Sequence, residues 1–179
     1  MVEEAKKREI KRISQKRLKN IALYYLKRFD SSVANLRSVL ARRVKDYAYQ
    51  TPDFDVGQGF SWIEDILKEL EGYGYLNDER YAEIKVRGYL TSGKSERYIM
   101  IKMREKGIEE ELVKKLLGES EYDSYELALR LAKKKKIGPF RDEEKRLDFK
   151  QKDMAALVRA GFDYDVVIRV LESDGEENL

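Results

Sequence analysis

The 179-residue sequence predicts an all-α protein, three tandem three-helix repeats stacked into an elongated array. Three observations predict it. Ala, Glu, Lys, Leu and Arg dominate, while glycine and proline number only 11 and 2, a balance that favours helix over turn-rich β structure. Apolar residues recur at i, i+3 and i+4 along nearly the whole chain. And the stretch REKGIEEELVKKLL, Arg104 to Leu117, lies over VRAGFDYDVVIRVL, Val158 to Leu171, without a gap. In that register Gly107 matches Gly161 and Ile108 matches Phe162. Leu112, Val113, Leu116 and Leu117 match Val166, Val167, Val170 and Leu171. Stacked units of this kind bury their apolar faces against one another and leave long faces suited to binding.

The elements follow in order. Residues 1–19 form a basic N-terminal helical extension. The first repeat, 20–71, opens with a basic helix that starts near Ile10 and Ile13 and carries Ile21, Leu23, Leu26 and Phe29. Ser31–Ser32 caps a second helix with the stripe Leu36, Val39 and Leu40. Asp46 to Phe60, with one proline, two glycines and no stripe, reads as a loop inserted in this repeat. Ser61 and Glu64 form a capping box for a helix carrying Ile63, Ile66, Leu67 and Leu70, and Gly72 stops it.

The second repeat spans 72–118. Asn77 or Asp78 caps a helix with Tyr81, Ala82, Val86 and Tyr89. Ser95 caps the next, with Ile99, Met100 and Met103, and Gly107 ends it. Leu112, Val113, Leu116 and Leu117 make a short third helix up to Gly118. The third repeat spans 119–172. A cap between Ser120 and Ser124 starts a helix with Leu127, Ala128, Leu131 and Ala132. Lys133 to Arg146 is its basic end plus a Gly-Pro loop. A stripe of Met154, Leu157 and Val158 stops at Gly161, and Val166, Val167, Val170 and Leu171 close the array before an acidic tail, 173–179.

Composition removes several chemistries. With no cysteine there is no disulfide, thiol catalysis or zinc–thiolate site. With no histidine, a Ser-His-Asp triad and the commonest metal ligand are absent. No apolar run is long enough to span a bilayer, and the N-terminus lacks the apolar stretch of a signal peptide, so a cytoplasmic protein is expected. Net charge is only +3 but is unevenly placed: Met1 to Arg28 holds ten Lys/Arg against three Glu. That asymmetry suggests a polyanionic partner.

One motif tempts. GYLTSGKS, Gly88 to Ser95, fits the phosphate-loop pattern G-x-x-x-x-G-K-[ST]. Such a loop needs a buried strand before it, and DERYAEIKVR has helical spacing and charges a central strand would bury. No βα alternation accompanies it. The stretch is therefore expected to be a helix end, a turn and a cap. Asp53, Asp55 and Glu64 likewise sit at three calcium-loop positions, but the loop's required glycine is Gln58, and no calcium site is expected.

The centre of the chain resembles a known family. LEGYGYLNDERYAEIKVRGYLTSGKSERYIMIKMREKGIEEELVKKLL, Leu70 to Leu117, is similar to the central repeat of RecX proteins, regulators of the bacterial RecA recombinase. The matching positions are Gly74, Tyr75, Leu76, Asn77, Asp78, Tyr81, Ala82, Arg87, Gly93, Lys106, Gly107 and Ile108. Ala22 to Arg43 resembles the family's opening repeat, and Phe149 to Glu172 its C-terminal repeat. The sequence departs from the family in the 46–60 insert, in Val44 where the first repeat has a glycine, and in its long basic extension.

The resemblance implies a curved all-α molecule with no catalytic activity and no cofactor. It implies binding to the RecA filament on single-stranded DNA, in its groove or at its growing end. The consequence would be suppression of ATP hydrolysis, filament extension and strand exchange, and with them the SOS response. A monomer with direct nucleic-acid contact and no membrane association is expected. A helical DNA- or RNA-binding protein without a recombinase partner is the alternative. A surface laid on such a filament needs cations. The candidates are Arg42, Arg43, Lys85, Arg87, Lys94, Arg97, Lys102, Arg104, Lys133 and Lys134. Tyr81, Tyr89 and Tyr98 fall on or beside apolar stripes and are expected in the core. Trp62 is expected to pack between the first two repeats. Tyr47, Tyr49 and Phe54 in the insert are expected either to form a partner-contact tip or to fold back.

Overall fold

In the computed structural model, residues 11–174 are described. Ile10, most of the basic extension and the acidic tail beyond Asp174 lie outside them. The described residues form nine α-helices in three successive sets of three, and no strand. The chain divides into two compact units, one up to Asp78 and one from Glu79.

Unit 1 holds α1 (Gln15–Leu26), α2 (Val33–Gln50) and α3 (Val56–Gly72). Each begins at a side chain that accepts an N–H the helix itself leaves unpaired: Ser14 from Arg17, Ser32 from Asn35, and Asp55 from Gln58. The expected cap at Ser32 is therefore present. α3 packs on both α1 and α2. The interface is Leu18, Ala22, Leu36, Leu40, Ile63, Ile66, Leu67 and Leu70, and Ile13 ahead of α1 joins it. Truncating a fully buried leucine here, such as Leu18, should cost about 2–5 kcal/mol.

The 46–60 stretch is not a loop. α2 runs on to Gln50 and α3 begins at Val56, leaving only residues 51–55 between them. The glycines that suggested a loop lie in the first turns of α3. Gly59 is buried because α3 comes so close to α2 there that a Cβ would meet Val44 Cγ1 at 2.7 Å. The capping box at Ser61 and Glu64 is not formed either. Asp55 caps α3 instead, and Glu64 pairs with Arg37 of α2 at 2.8 Å. Tyr47 and Phe54 fold back in an edge-to-face pair 5.1 Å apart, and Trp62 packs beside Phe54 within this unit. Tyr49 stays 85 % exposed. Gly72 is the last residue of α3 rather than its stop; the left-handed residue that ends the helix is Gly74.

Unit 2 holds α4 (Asp78–Thr91) from its second residue on, α5 (Glu96–Glu105), α6 (Glu110–Gly118), α7 (Ser124–Lys135), α8 (Glu143–Arg159) and α9 (Tyr164–Glu172). One apolar core runs through all six, from Tyr81, Val86 and Leu90 through Ile99, Met103 and Val113 to Leu127, Leu157, Val167 and Val170. The repeat read in the sequence is visible in the backbone. α5 ends with Ile108 N–H on Met103 O at 3.1 Å and Gly107 N–H on Arg104 O at 2.9 Å. α8 ends the same way, with Phe162 N–H on Leu157 O at 3.3 Å and Gly161 N–H on Val158 O at 2.9 Å. Both are Schellman stops with a left-handed glycine.

α8 begins at Glu143, far earlier than its apolar stripe suggests, so the expected Gly-Pro loop shrinks to a 3-10 turn at Gly138–Phe140. Asp153 explains the extension. Its side chain is only 4 % exposed, and it accepts from Arg141 twice, at 2.7 and 2.9 Å, and from the Gly138 N–H at 2.9 Å. This carboxylate ties the turn to α8. Burial works against its charge, but the Arg141 guanidinium and the Gly138 N–H outweigh that and hold its pKa below the ordinary aspartate value.

Candidate nucleic-acid interface

The GYLTSGKS stretch is helix, stop and cap. α4 runs through Thr91, and its last carbonyls consume the amides that a phosphate loop would offer. Gly93 N–H is on Leu90 O at 2.9 Å and Lys94 N–H on Tyr89 O at 3.0 Å. Ser95 caps α5 by accepting from the Tyr98 N–H at 3.2 Å. Its hydroxyl is already committed to the Ala160 carbonyl at 2.6 Å. No nucleotide cradle remains there. Among the described residues no cluster of carboxylates could hold a metal ion, and no helix is long and apolar enough to cross a membrane.

The candidate cations of unit 2 fall into three groups. The first is α5 and the turn before it. Arg97 and Arg104, two helical turns apart, are both exposed, with Ile101 between them 40 % exposed. The Arg97 stem lies over Gly161, where an added Cβ would meet its Cβ at 3.3 Å. That contact holds the stem, while the residue as a whole stays exposed. Lys94 and Lys102 flank the Tyr98 ring, at 4.8 and 5.9 Å from its centroid. Tyr98 meets Tyr89 edge-on at 5.6 Å, and burial raises the Tyr89 pKa. Lys102 is also bonded to Glu105 at 2.8 Å, which raises its pKa and partly neutralises it.

Lys85 and Arg87 on α4 form no part of that face. Lys85 sits over the Tyr81 ring at 5.5 Å. Arg87 lines a different groove among Glu83, Glu119, Glu121 and Tyr122, where carboxylates dominate. Lys133 and Lys134 are exposed in the last turn of α7. Arg42 and Arg43, exposed on α2, belong to unit 1.

Two cations outside the sequence-derived set join Lys94. Lys135 at the end of α7 and Arg159 at the end of α8 line a groove of about 470 Å³ with Lys94, Ser95 and Tyr98. A signal existed: Arg159 stands two residues before the predicted stop at Gly161, and Lys135 lies in the predicted basic end that opens at Lys133. They face the carbonyl ends of α7 and α8, which offset part of their charge. Arg97 differs. It stands in the first turn of α5, where the helix dipole disfavours a cation.

This chain is similar to known proteins. A family model described as RecX, second three-helix domain, matches residues 77–117, the segment that carries α4, α5 and α6. The chain is 37 % identical over 167 residues to the regulatory protein RecX of Myxococcus xanthus, covering 92 % of this chain and 89 % of that one. It is 30 % identical over 159 residues to the regulatory protein RecX of Agrobacterium fabrum, covering 89 % and 84 %. A crystal structure of RecX from Lactobacillus salivarius superposes with a TM-score of 0.60 at 22 % identity, over 89 % of this chain and 96 % of that one. A second crystal structure of regulatory protein RecX gives 0.61 at 24 %, over 89 % and 72 %. The solved structures share the fold, and the two sequence relatives align over most of their own length. With its three sets of three helices and its matched central segment, this chain belongs to the RecX family of regulatory proteins.

Proposed function

We propose that this protein inhibits the RecA recombinase without chemistry of its own. It binds the RecA filament on single-stranded DNA and suppresses ATP hydrolysis, extension and strand exchange. The observation that carries this reading is the exposed α5 face, where Arg97 and Arg104 flank Ile101. An apolar centre between two arginines is the composition of a protein-contact surface. The cations also suit the anionic backbone of filament DNA. Lys94, with Lys135 and Arg159 beside it, extends the positive surface toward α7 and α8. Family membership supports a regulatory role.

The test is ATP hydrolysis by RecA on single-stranded DNA with substoichiometric amounts of this protein, and with the protein alone as control. Suppression well below one copy per recombinase monomer is the expected result. Unchanged hydrolysis, with the protein still bound to bare DNA, would move the function to plain nucleic-acid binding.

A further inference from the structure

Unit 1 contains a basic cleft that the filament-facing α5 surface does not involve. It lies between α1 and α2, has a volume of about 550 Å³, and is lined by Lys11, Arg17, Asn20, Tyr24, Arg43 and Asp46 together with apolar floor residues. The three cations come from three stretches: the segment before α1, its first turn, and the middle of α2.

Two cations of the unit, Lys19 and Arg37, are held in ion pairs, and those of the cleft are not. Lys19 bonds Glu69 at 2.6 Å, and Arg37 holds Glu64 through two bonds at 2.8 and 2.9 Å. Among the described residues, no carboxylate lies within ion-pair distance of Lys11, Arg17 or Arg43, although Asp46 lines the same cleft. The first turn of α1 also carries Lys16 and Arg17 and no acid. Cations at that end of a helix oppose its dipole. That placement works against the helix, and a bound polyanion would offset it.

Tyr24 distinguishes a nucleic acid from other polyanions. It stands two turns after Arg17 on α1, about 10 Å along the axis, and is 64 % exposed. Its hydroxyl accepts from Arg28 Nη1 at 3.1 Å, and the Arg28 guanidinium lies over the ring at 5.7 Å from its centroid, which positions the ring. A positioned, exposed aromatic at the mouth of a basic groove is the platform on which unpaired bases stack. Asn20, between Arg17 and Tyr24, adds an amide that can reach a base edge. We propose that this cleft binds single-stranded nucleic acid, with phosphates on Lys11, Arg17 and Arg43 and a base stacked on Tyr24.

The experiment is fluorescence-anisotropy titration of the full chain with a labelled oligothymidylate, without recombinase, at several salt concentrations. The double variant R17E/R43E should weaken binding at least tenfold and flatten the log–log salt slope by about 1.4, as two lost single-strand phosphate contacts require. Tyr24→Ala should weaken it roughly tenfold, and Tyr24→Phe should retain binding, since stacking needs the ring and not the hydroxyl. Circular dichroism checks that each variant is folded. Wild-type affinity in R17E/R43E, or no binding of the oligonucleotide by the parent protein, would overturn the proposal. So would a polyglutamate peptide that competes as well as unlabelled oligonucleotide, since that would make the cleft a site for acidic protein. RecA ATPase suppression is a separate readout, so loss of this cleft and loss of filament regulation are distinguishable.

Discussion

The Ser95 hydroxyl donates to the Ala160 carbonyl at 2.6 Å and stands 2.7 Å from where a Cβ on Gly161 would lie. One buried hydroxyl thus caps α5 and holds the C-terminal end of α8. The second and third helix sets of the chain, both in unit 2, are joined at this point. Gly161 is required twice over, by its left-handed φ of 95° and by the closeness of Ser95. Gly161→Ala should cost about 2–4 kcal/mol in urea unfolding. Ser95→Ala should cost about 2 kcal/mol, as the lost cap plus a part-buried carbonyl left unpaired. The double variant should cost less than the sum by at least about 0.5 kcal/mol, because removing the hydroxyl makes room for the methyl. Strict additivity would show that the two do not share one constraint.

Lys136 holds the same kind of position without being glycine. Ile137 N–H reaches Ala132 O at 3.1 Å and Lys136 N–H reaches Lys133 O at 3.1 Å, another Schellman stop, with Lys136 at φ 53°. A side chain in the left-handed region costs about 1–2 kcal/mol, offset in part by the unfolded-chain entropy of glycine. Lys136→Gly should therefore stabilise the protein by about 0.5–1 kcal/mol, read as a higher urea midpoint with an unchanged slope. A lower midpoint would mean that the lysine makes a contact worth more than the strain.

Asp153 gives a pH signature. Its folded pKa lies below the ordinary aspartate value because Arg141 and the Gly138 N–H outweigh the effect of burial. A depressed carboxylate contributes stability that is complete above its unfolded pKa and is lost as pH falls through the folded one. Stability should drop below about pH 4 in the parent protein, and less in Asp153→Asn, whose side chain does not titrate there. Asp153→Ala should cost about 3 kcal/mol at neutral pH, since it strands the half-buried Arg141 and the Gly138 amide. Parallel pH profiles for parent and Asn variant would remove Asp153 from the acid transition.

These residues also mark where sequence reading stops. The stripes through Leu36, Leu40, Ile63, Ile66 and Leu67, and through Ile99 and Met103, are all buried as their spacing predicts, because amphipathic burial is written in the period. The glycine stops at Gly107 and Gly161 were legible for the same reason: the stop is local. The 46–60 stretch was not, because glycine signals loop locally and Gly59 serves a contact with Val44 that only tertiary packing creates. The early start of α8 was hidden likewise, since its first turns are polar and depend on Asp153 holding the Gly138 turn. For the candidate interface, the spacing of Arg97 and Arg104 placed both on α5. The separation of Arg87 among carboxylates, and the approach of Lys135 and Arg159 to Lys94, come from contacts between distant segments.

The α5 face carries the sharpest functional prediction. Arg97→Glu places an acid in the first turn of α5, where the dipole favours it, while Arg104→Glu places one in the last turn, where it does not. The two effects on folding oppose each other, so the stability of R97E/R104E should stay within about 0.5 kcal/mol of the parent. If the face meets the RecA–DNA filament, the same variant should need at least ten times more protein to suppress filament ATPase. Reversing two exposed lysines elsewhere, Lys68→Glu on α3 with Lys150→Glu on α8, makes an equal change in net charge and should leave suppression nearly unaltered. The pairing of these two variants separates a local contact from long-range attraction, because a field effect depends on total charge and a contact depends on place. Equal loss in both would dissolve the α5 assignment into net charge. Loss of folding in R97E/R104E alone would mean that the Arg97 stem over Gly161 is a structural contact first.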